Sequence, residues 1–205
     1  MILAQRLTFR PAVLSDYYDN TFQWTQETIM QAPVMQALLK DGALAGEWAL
    51  DPGTSCVRLT SKVYGLIPVN GVFREISGNG TVSPDGEASG TLTIVAASID
   101  TKNTRRDTHL RSADFFDSGN HPDITFTADR IRPSGQGAAV TGMLTVRGRT
   151  RPLSFDAAAS VHGDGEIRLD AEVRVNRADF GLTWNWLGMV SMTSTLAVHA
   201  TFTRR

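Results

Sequence analysis

The sequence contains a single cysteine, Cys56, in 205 residues. One cysteine excludes an internal disulfide and a cysteine-based zinc cluster within one chain. The sequence also lacks a charge excess, because 20 Lys and Arg stand against 21 Asp and Glu. The whole-chain charge therefore gives no electrostatic footprint for nucleic acid or an anionic surface, and we expect no nucleic-acid partner.

Long apolar runs are absent as well. No window approaches the roughly 18 apolar residues that a membrane-spanning helix needs. The opening stretch "MILAQRLTFRPA" is interrupted by polar residues too early for the apolar core of a signal peptide. These absences predict a chain with no membrane span and a cytoplasmic location.

The chain has two composition regimes, which predict an N-terminal helical extension over residues 1–45 and a second domain over 46–205. Residues 15–41 contain no glycine and space their apolar residues as a helix does. Ser15 is a candidate N-cap and Gly42 a candidate C-cap, while Pro33 should break or kink the segment. Its apolar face needs a partner, which can be a barrel end or a second protomer. We expect a homodimer, because closed two-fold dimers are the commonest assembly.

From Trp48 onward the apolar period changes to two. The alternating segments are residues 57–63, 92–98, 140–146, 153–161, 167–175 and 192–202. Strict alternation is typical of antiparallel sheet with one dry and one wet face, and turn signals such as "SPDGE" and "HGDGE" separate the segments. The pattern predicts an all-β barrel or sandwich, and closure of about eight strands into a barrel would remove the exposed edges.

The predicted dry face carries many small residues. They are Ser61, Ala96, Ser98, Gly142, Ala157, Ala159, Ser194 and Ala200. Small inward residues leave an apolar slot in a barrel of about eight strands, and such a slot can hold one ligand. The alternative is a tight sandwich in which small residues permit close sheet contact.

Five blocks of sequence carry a family resemblance. They are "EWALDPGTS", "GVFREISGNG", "SIDTKNTRRDTHLRSADFFDSGNHPDITF", "VTGMLTVRGRTRPLSF" and "NRADFGLTWN". In this order they resemble the signature blocks of the YceI-like family. The resemblance implies an antiparallel lipocalin-like β-barrel that binds a polyisoprenoid, of quinone or prenyl diphosphate type, or a similar fatty-acyl-type lipid. It implies no enzymatic activity and no cofactor. The chain departs from the family at Val63, where a histidine is frequent.

The inward register and the barrel ends define the candidate ligand-binding residues. These are Leu59, Ser61, Val63, Ile94, Ala96, Phe126, Leu144, Phe155, Ala157, Ala159, Val173, Trp184, Trp186, Leu196 and Val198. Trp184 and Trp186 either pack against the barrel end or form an apolar portal.

The block around residues 103–112, "NTRRDTHLRS", concentrates charge between two predicted strands. It predicts a short helix with Asn103 or Thr104 as N-cap, closing one barrel end as a plug. Asp107 would then stabilise the plug and His109 would anchor it by hydrogen bonds. The alternative is an acid/base pair formed by these two residues. No compact metal-binding spacing accompanies them, so we expect no metal.

Extending the inward register beyond the strands places charges at the barrel rim. Asp100, Arg130 and Arg177 fall on that register, and they could pair with one another or hold an anionic head group. Together with Arg106, Asp107 and His109 they form the candidate head-group or barrel-end set.

Overall fold

A computed structural model describes residues 32–135, 137–162, 165–185 and 188–205. The helices are α1, Ala32–Lys40, and α2, Thr104–Arg111. The strands are β1 Gly46–Leu50, β2 Cys56–Val63, β3 Ile67–Phe73, β4 Ile76–Val82, β5 Ala88–Val95, β6 Ile99–Asp100, β7 Asp123–Ser134, β8 Gly137–Val146, β9 Arg149–His162, β10 Glu166–Asn176 and β11 Val190–Arg204. A 3-10 helix, Ala96–Ser98, precedes β6, and another, Arg177–Phe180, follows β10.

The strands form one closed antiparallel barrel. β11 pairs with β10 on one side, and on its other side with β2 near its start and with β1 near its end. β2 pairs with β3 while β1 pairs with β4, so β4 continues the course of β3 around the barrel. In the same way, β3 pairs with β6 while β4 pairs with β5, so β5 and β6 together occupy one strand position. Three interrupted strands and five continuous ones thus make the predicted eight-stranded barrel.

The predicted alternation explains the longest strands. In β10, Ala171 and Val173 are buried while Glu172 and Arg174 between them are exposed. β10 and β11 stay in register from Glu166 opposite Thr203 to Asn176 opposite Thr193. One face of every such strand therefore points into the barrel, and its apolar side chains line the interior.

The N-terminal prediction is confirmed in part. α1 ends at Lys40, and Gly42 adopts a left-handed φ of 67° while its N–H donates to the Leu39 carbonyl. Glycine is the residue that tolerates this conformation best, as expected for the C-cap. The predicted break or kink at Pro33 stays a prediction, because the structure describes α1 only from Ala32 onward. Residues 15–31 lie outside the described residues.

Candidate functional site

The barrel interior holds two apolar cavities. The one nearer α1, which we call the α1 chamber, has a volume of about 160 Å³. Its wall includes Met35, Leu39, Leu44, Trp48, Val82, Leu92, Phe126, Ala128, Ile131, Val140, Phe155, Ala157, Ala159, Ile167, Leu169, Ala171, Val198, Ala200 and Phe202. Its polar wall residues are Asn79 and Thr81 on β4, Ser89 and Thr91 on β5, and Arg132 on β7.

The second cavity, the α2 chamber, has a volume of about 120 Å³. Its wall includes Val57, Leu59, Phe73, Leu92, Ile94, Phe115, Phe116, Ile124, Phe126, Leu144, Val146, Leu153, Phe155, Val173, Val175, Arg177, Phe180, Leu182, Ser194, Leu196 and Val198. Arg177 is the single charged residue in this wall, within the part of the chain that the structure describes.

Four residues line both chambers, and they mark a constriction between them: Leu92, Phe126, Phe155 and Val198. The rings of Phe126 and Phe155 lie with their centroids 5.4 Å apart and tilted by 46°. The two cavities are thus consecutive parts of one apolar interior.

α1 and the turn after it close one end of the barrel. Met35, Leu39 and Leu44 are buried and line the α1 chamber. The Trp48 indole Nε1–H donates to the Leu44 carbonyl at 3.1 Å, and the Arg204 guanidinium lies over the Trp48 ring, 5.0 Å from its centroid. α1 therefore covers the chamber mouth, in the position expected of a lid.

α2 and the turn that follows close the opposite end. Phe115 and Phe116 from this turn line the α2 chamber and contact each other edge to face at 5.0 Å. Arg111 fixes the segment, because its Nε–H donates to the Ala97 carbonyl at 2.6 Å and its Nη2–H to the Ile99 carbonyl at 2.8 Å. Such charge-assisted bonds are among the stronger ones, so the predicted plug is present and firmly attached.

Asp107 and Arg106 hold the start of this plug. Asn103 is the N-cap of α2, and its side-chain oxygen accepts from the Arg106 N–H at 3.0 Å, as predicted. Asp107 is buried and accepts from the Thr101 N–H at 2.9 Å and from the Thr101 hydroxyl at 2.6 Å. The Arg106 guanidinium donates to the Thr101 hydroxyl and carbonyl. Asp107 therefore orders the connection between β6 and α2 through Thr101 and not through His109.

His109 lies against Trp184. The two ring centroids are 4.3 Å apart at an angle of 62°, an edge-to-face contact. His109 Nε2 is buried and has no hydrogen-bond partner among the described residues, so this nitrogen does not supply the predicted anchoring hydrogen bond. Ring packing against Trp184 holds the imidazole instead.

Arg177 is buried, with 3% of its surface exposed. Its Nη1 donates to the carbonyls of Leu182 and Trp184, each at 2.7 Å, and its Nε to that of Ser191 at 2.9 Å. A weaker contact joins Nη2 to the Val190 carbonyl at 3.4 Å. Desolvation lowers the pKa of the guanidinium from its ordinary value. The predicted inward position of Arg177 is confirmed, but its N–H groups donate to backbone carbonyls around the start of β11.

The inward positions expected for Asp100 and Arg130 are wrong. The 3-10 helix Ala96–Ser98 interrupts the alternation before Asp100. Asp100 accepts from Arg74 at 2.7 Å and pairs with Lys102 at 3.3 Å, and the Arg74 hydrogen bond is the main reason that its pKa falls to about 2. A bulge shifts the β7 register between Ala128 and Arg130, so Arg130 is exposed and Ile131 lines the α1 chamber.

Gly142 has a different role from the one its small size predicted. A Cβ atom built there would lie 2.0 Å from the Thr127 carbonyl oxygen. Glycine is therefore required for the close backbone approach of β7 and β8 at the bulge, and it contributes no space to the cavity.

Most of the predicted ligand-binding residues meet in the two chambers. Those that line a chamber are Leu59, Ile94, Phe126, Leu144, Phe155, Ala157, Ala159, Val173, Leu196 and Val198. Those outside the walls are Ser61, Val63, Ala96 and Trp184. Ala96 is buried in its 3-10 helix, and the Ser61 hydroxyl is buried with no partner among the described residues. Trp186 lies outside the described residues.

Sequence reasoning predicted the closing elements of the cavity only in part. Met35, Leu39 and Leu44 come from the N-terminal extension, whose apolar face was visible but whose partner was not. Phe115 and Phe116 follow α2, and the sequence predicted them as the apolar underside of the plug, although not as wall of a cavity. Within the described ranges, no three His, Cys, Asp or Glu side chains are grouped as metal ligands would be. None of the described helices is long and apolar enough to cross a bilayer.

A closed eight-stranded antiparallel barrel with an apolar interior and a helical plug defines a lipocalin-like barrel. The family model of the YceI-like domain matches residues 48–202, so the chain belongs to the YceI-like family. A UPF0312 protein of Pectobacterium carotovorum is 30% identical over 168 residues, covering 77% of this chain and 88% of that protein. Protein YceI of Escherichia coli O6:H1 is 33% identical over 119 residues, 55% of this chain and 62% of that protein.

Two solved structures share the fold. BcnA of Burkholderia cenocepacia superimposes with a TM-score of 0.69 at 24% identity, covering 74% of this chain and 98% of that one. A polyisoprenoid-binding domain from Saccharophagus degradans superimposes with a TM-score of 0.62 at 17% identity, covering 77% and 98%.

Proposed function

We propose that this protein binds one long-chain apolar lipid of the polyisoprenoid class inside the barrel and acts as a non-enzymatic carrier or store for it. The observation that carries the proposal is the pair of consecutive apolar chambers that meet at Phe126 and Phe155. An apolar cavity of about 150 Å³ stays dry and accepts small apolar ligands. The binding of one solved relative, a polyisoprenoid-binding domain, supports the same class of ligand.

The length of the interior favours an elongated ligand. Ser194 lines the α2 chamber and Phe202 the α1 chamber, and both belong to β11. Eight positions of strand cover about 27 Å, or about 20 Å along the barrel axis at a tilt near 40°. A chain of this length must pass the constriction that Leu92, Phe126, Phe155 and Val198 form between the two chambers.

The polar atoms near the α2 end favour a neutral head group there. Arg177 is the charged residue of the described α2 chamber wall, whereas the buried atoms His109 Nε2 and Ser61 Oγ lie outside that wall. Arg177 directs its hydrogen bonds to backbone carbonyls, which leaves it poorly placed to hold a diphosphate. A quinone-type head therefore fits this end better than a prenyl diphosphate.

The two other interpretations receive less support. An enzyme using Asp107 and His109 would need these groups in contact, yet Asp107 accepts from Thr101 and His109 packs on Trp184. A structural oligomer with a filled barrel would leave no interior space, which disagrees with the two cavities.

Bulk introduced in each chamber tests the proposal. Ala157 lines the α1 chamber and Ser194 the α2 chamber. Native mass spectrometry and solvent extraction should find a lipid on the wild type and none on Ala157→Phe or Ser194→Phe. The overpacking cost of about 1–3 kcal/mol should be largely absent, because the new ring enters empty space. Ser154→Phe is the matched control, since Ser154 is exposed on the same strand as Ala157.

Each outcome separates the interpretations. Loss of lipid in both chamber variants supports one ligand that occupies the whole interior, and loss only in Ala157→Phe confines the ligand to the α1 chamber. Lipid retained by both variants at wild-type levels contradicts the proposal. Strong destabilisation by both would mean that the interior is already packed.

A further inference from the structure

The exposed apolar side chains of this barrel are concentrated at one place. Tyr64, Leu66 and Ile67 form the tip of the β2–β3 hairpin and are 61%, 84% and 58% exposed. Trp184, before β11, is 39% exposed. Met143, the remaining large apolar side chain that is exposed in the described part of the chain, lies on β8. Clustered exposed apolar groups mark interaction surfaces, whereas scattered single ones do not.

These four residues, which we call the hairpin patch, lie at the α2 end of the barrel: Tyr64, Leu66, Ile67 and Trp184. The Tyr64 N–H donates to the Met189 carbonyl at 2.7 Å, which joins the hairpin tip to the segment before β11. Arg177 binds the carbonyls of both Trp184 and Val190 in that segment. The patch therefore lies beside the wall of the α2 chamber, to which Arg177 and Leu182 contribute.

The backbone conformation at the hairpin tip indicates that Tyr64 has a functional role. Tyr64 and Gly65 have φ values of 54° and 69°, and the Leu66 N–H donates to the Val63 carbonyl. Two such residues form a tight hairpin turn that favours Asn-Gly, because a bulky residue is strained at positive φ. An exposed aromatic side chain in a strained position is typical of a functional site.

Lys62 contributes a positive charge beside the hairpin tip, whereas Arg74, beyond the far end of β3, pairs with Asp100. Between Asp51 and Glu75 the sequence contains Arg58, Lys62 and Arg74 and no acidic residue. Lys62 is exposed at the end of β2, next to the tip. Tyr and Trp with aliphatic neighbours and a basic flank are the composition that enters the headgroup region of a bilayer.

We propose that the hairpin patch docks the α2 end of the barrel onto an anionic lipid bilayer. Tyr64, Leu66, Ile67 and Trp184 enter the headgroup region, and Lys62 contacts the acidic lipid headgroups. Docking would place the wall of the α2 chamber against the membrane, the environment in which a long-chain apolar lipid is dissolved. The docking surface is independent of which ligand occupies the barrel.

Flotation of the full chain with vesicles tests the docking. The vesicles contain phosphatidylcholine and phosphatidylglycerol at a ratio of seven to three, with pure phosphatidylcholine as the comparison. The wild type should float with the mixed vesicles. The double variant Leu66→Asp, Ile67→Asp should lose at least about tenfold in affinity, and Lys62→Gln about fivefold. Met143→Asp, the matched control on β8, should bind as the wild type does.

Tyr64→Asn separates docking from a structural role of the turn. Asparagine tolerates positive φ, so this variant should raise the midpoint of thermal unfolding while it lowers vesicle binding. A lower unfolding midpoint with unchanged vesicle binding would overturn the proposal.

Three further results would also overturn it. The first is that the full chain does not float, which would follow if residues 1–31 or a second copy covered the patch. The second is that the double aspartate variant floats as well as Met143→Asp. The third is that the double aspartate variant changes the mass of the vesicle-free protein in solution, which would make the patch a self-interface. Extraction of the same samples keeps ligand binding separate. A protein that holds lipid without binding vesicles contradicts docking alone, and one that binds vesicles without holding lipid contradicts the proposed function alone.

Discussion

Arg177→Met should destabilise the protein strongly, because the guanidinium is buried and its donors hold the segment before β11 in place. Methionine retains most of the apolar stem but removes every donor that reaches the carbonyls of Leu182, Trp184 and Ser191. A hydrogen bond to a charged group contributes about 1.5–3 kcal/mol. Three short hydrogen bonds set an upper bound on the stability loss. Relaxation of the segment before β11 will reduce this loss, because Trp184 is partly exposed and the segment can turn its carbonyls to water.

We therefore expect a loss of about 2–4 kcal/mol in the free energy of unfolding, measured by urea denaturation. Arg177→Lys should recover part of it, since an ammonium group has three donors but no planar fork. Arg130→Met is the matched control: Arg130 is exposed, and its loss should stay within about 0.5 kcal/mol. Equal stability of the two methionine variants would refute the role assigned to Arg177.

Three other predictions concern the plug, the Asp100 ion pair and the lid. Asp107→Ala should cost about 0.5–2 kcal/mol and expose the plug to limited proteolysis, because the Thr101 donors lose their acceptor; wild-type stability and protease resistance would contradict this. The pKa of Asp100 is about 2 when folded against 3.8 for a free carboxyl, so its stabilisation is complete above pH 3.8 and lost as the pH falls towards 2. Over this pH interval the free energy of unfolding of the wild type should fall by about 1 kcal/mol more than that of Asp100→Asn. Parallel curves of unfolding free energy against pH for the two proteins would contradict the ion pair. Deleting residues 1–44 should speed lipid release without a change of oligomeric state if α1 is a lid; conversion of a dimer to a monomer with unchanged release would mean a dimer arm instead.

The barrel could be predicted from the sequence wherever alternation is unbroken. β10 alternates apolar and charged residues over its length, so its inward face and its pairing with β11 follow from period two alone. The inward positions of Ala157 and Ala159 could be predicted in the same way, because β9 stays in register with β8 at Ala157 and with β10 at Ala159.

The errors occur where the backbone leaves that period. The bulge before Arg130 and the 3-10 helix before Asp100 each change which face the following residue occupies, and neither has a local signal strong enough to locate it. The sequence also could not decide whether a barrel end or a second protomer covers α1. Periodicity shows that a helix has an apolar face, but the surface that covers this face depends on contacts distant in sequence.

A crystal structure of the protein as purified tests the central claim most directly. The account predicts one elongated electron density that runs from the α1 chamber through the constriction at Phe126 and Phe155 to the α2 chamber. Chambers that are both empty or filled by side chains would contradict the binding of a long-chain lipid along the barrel.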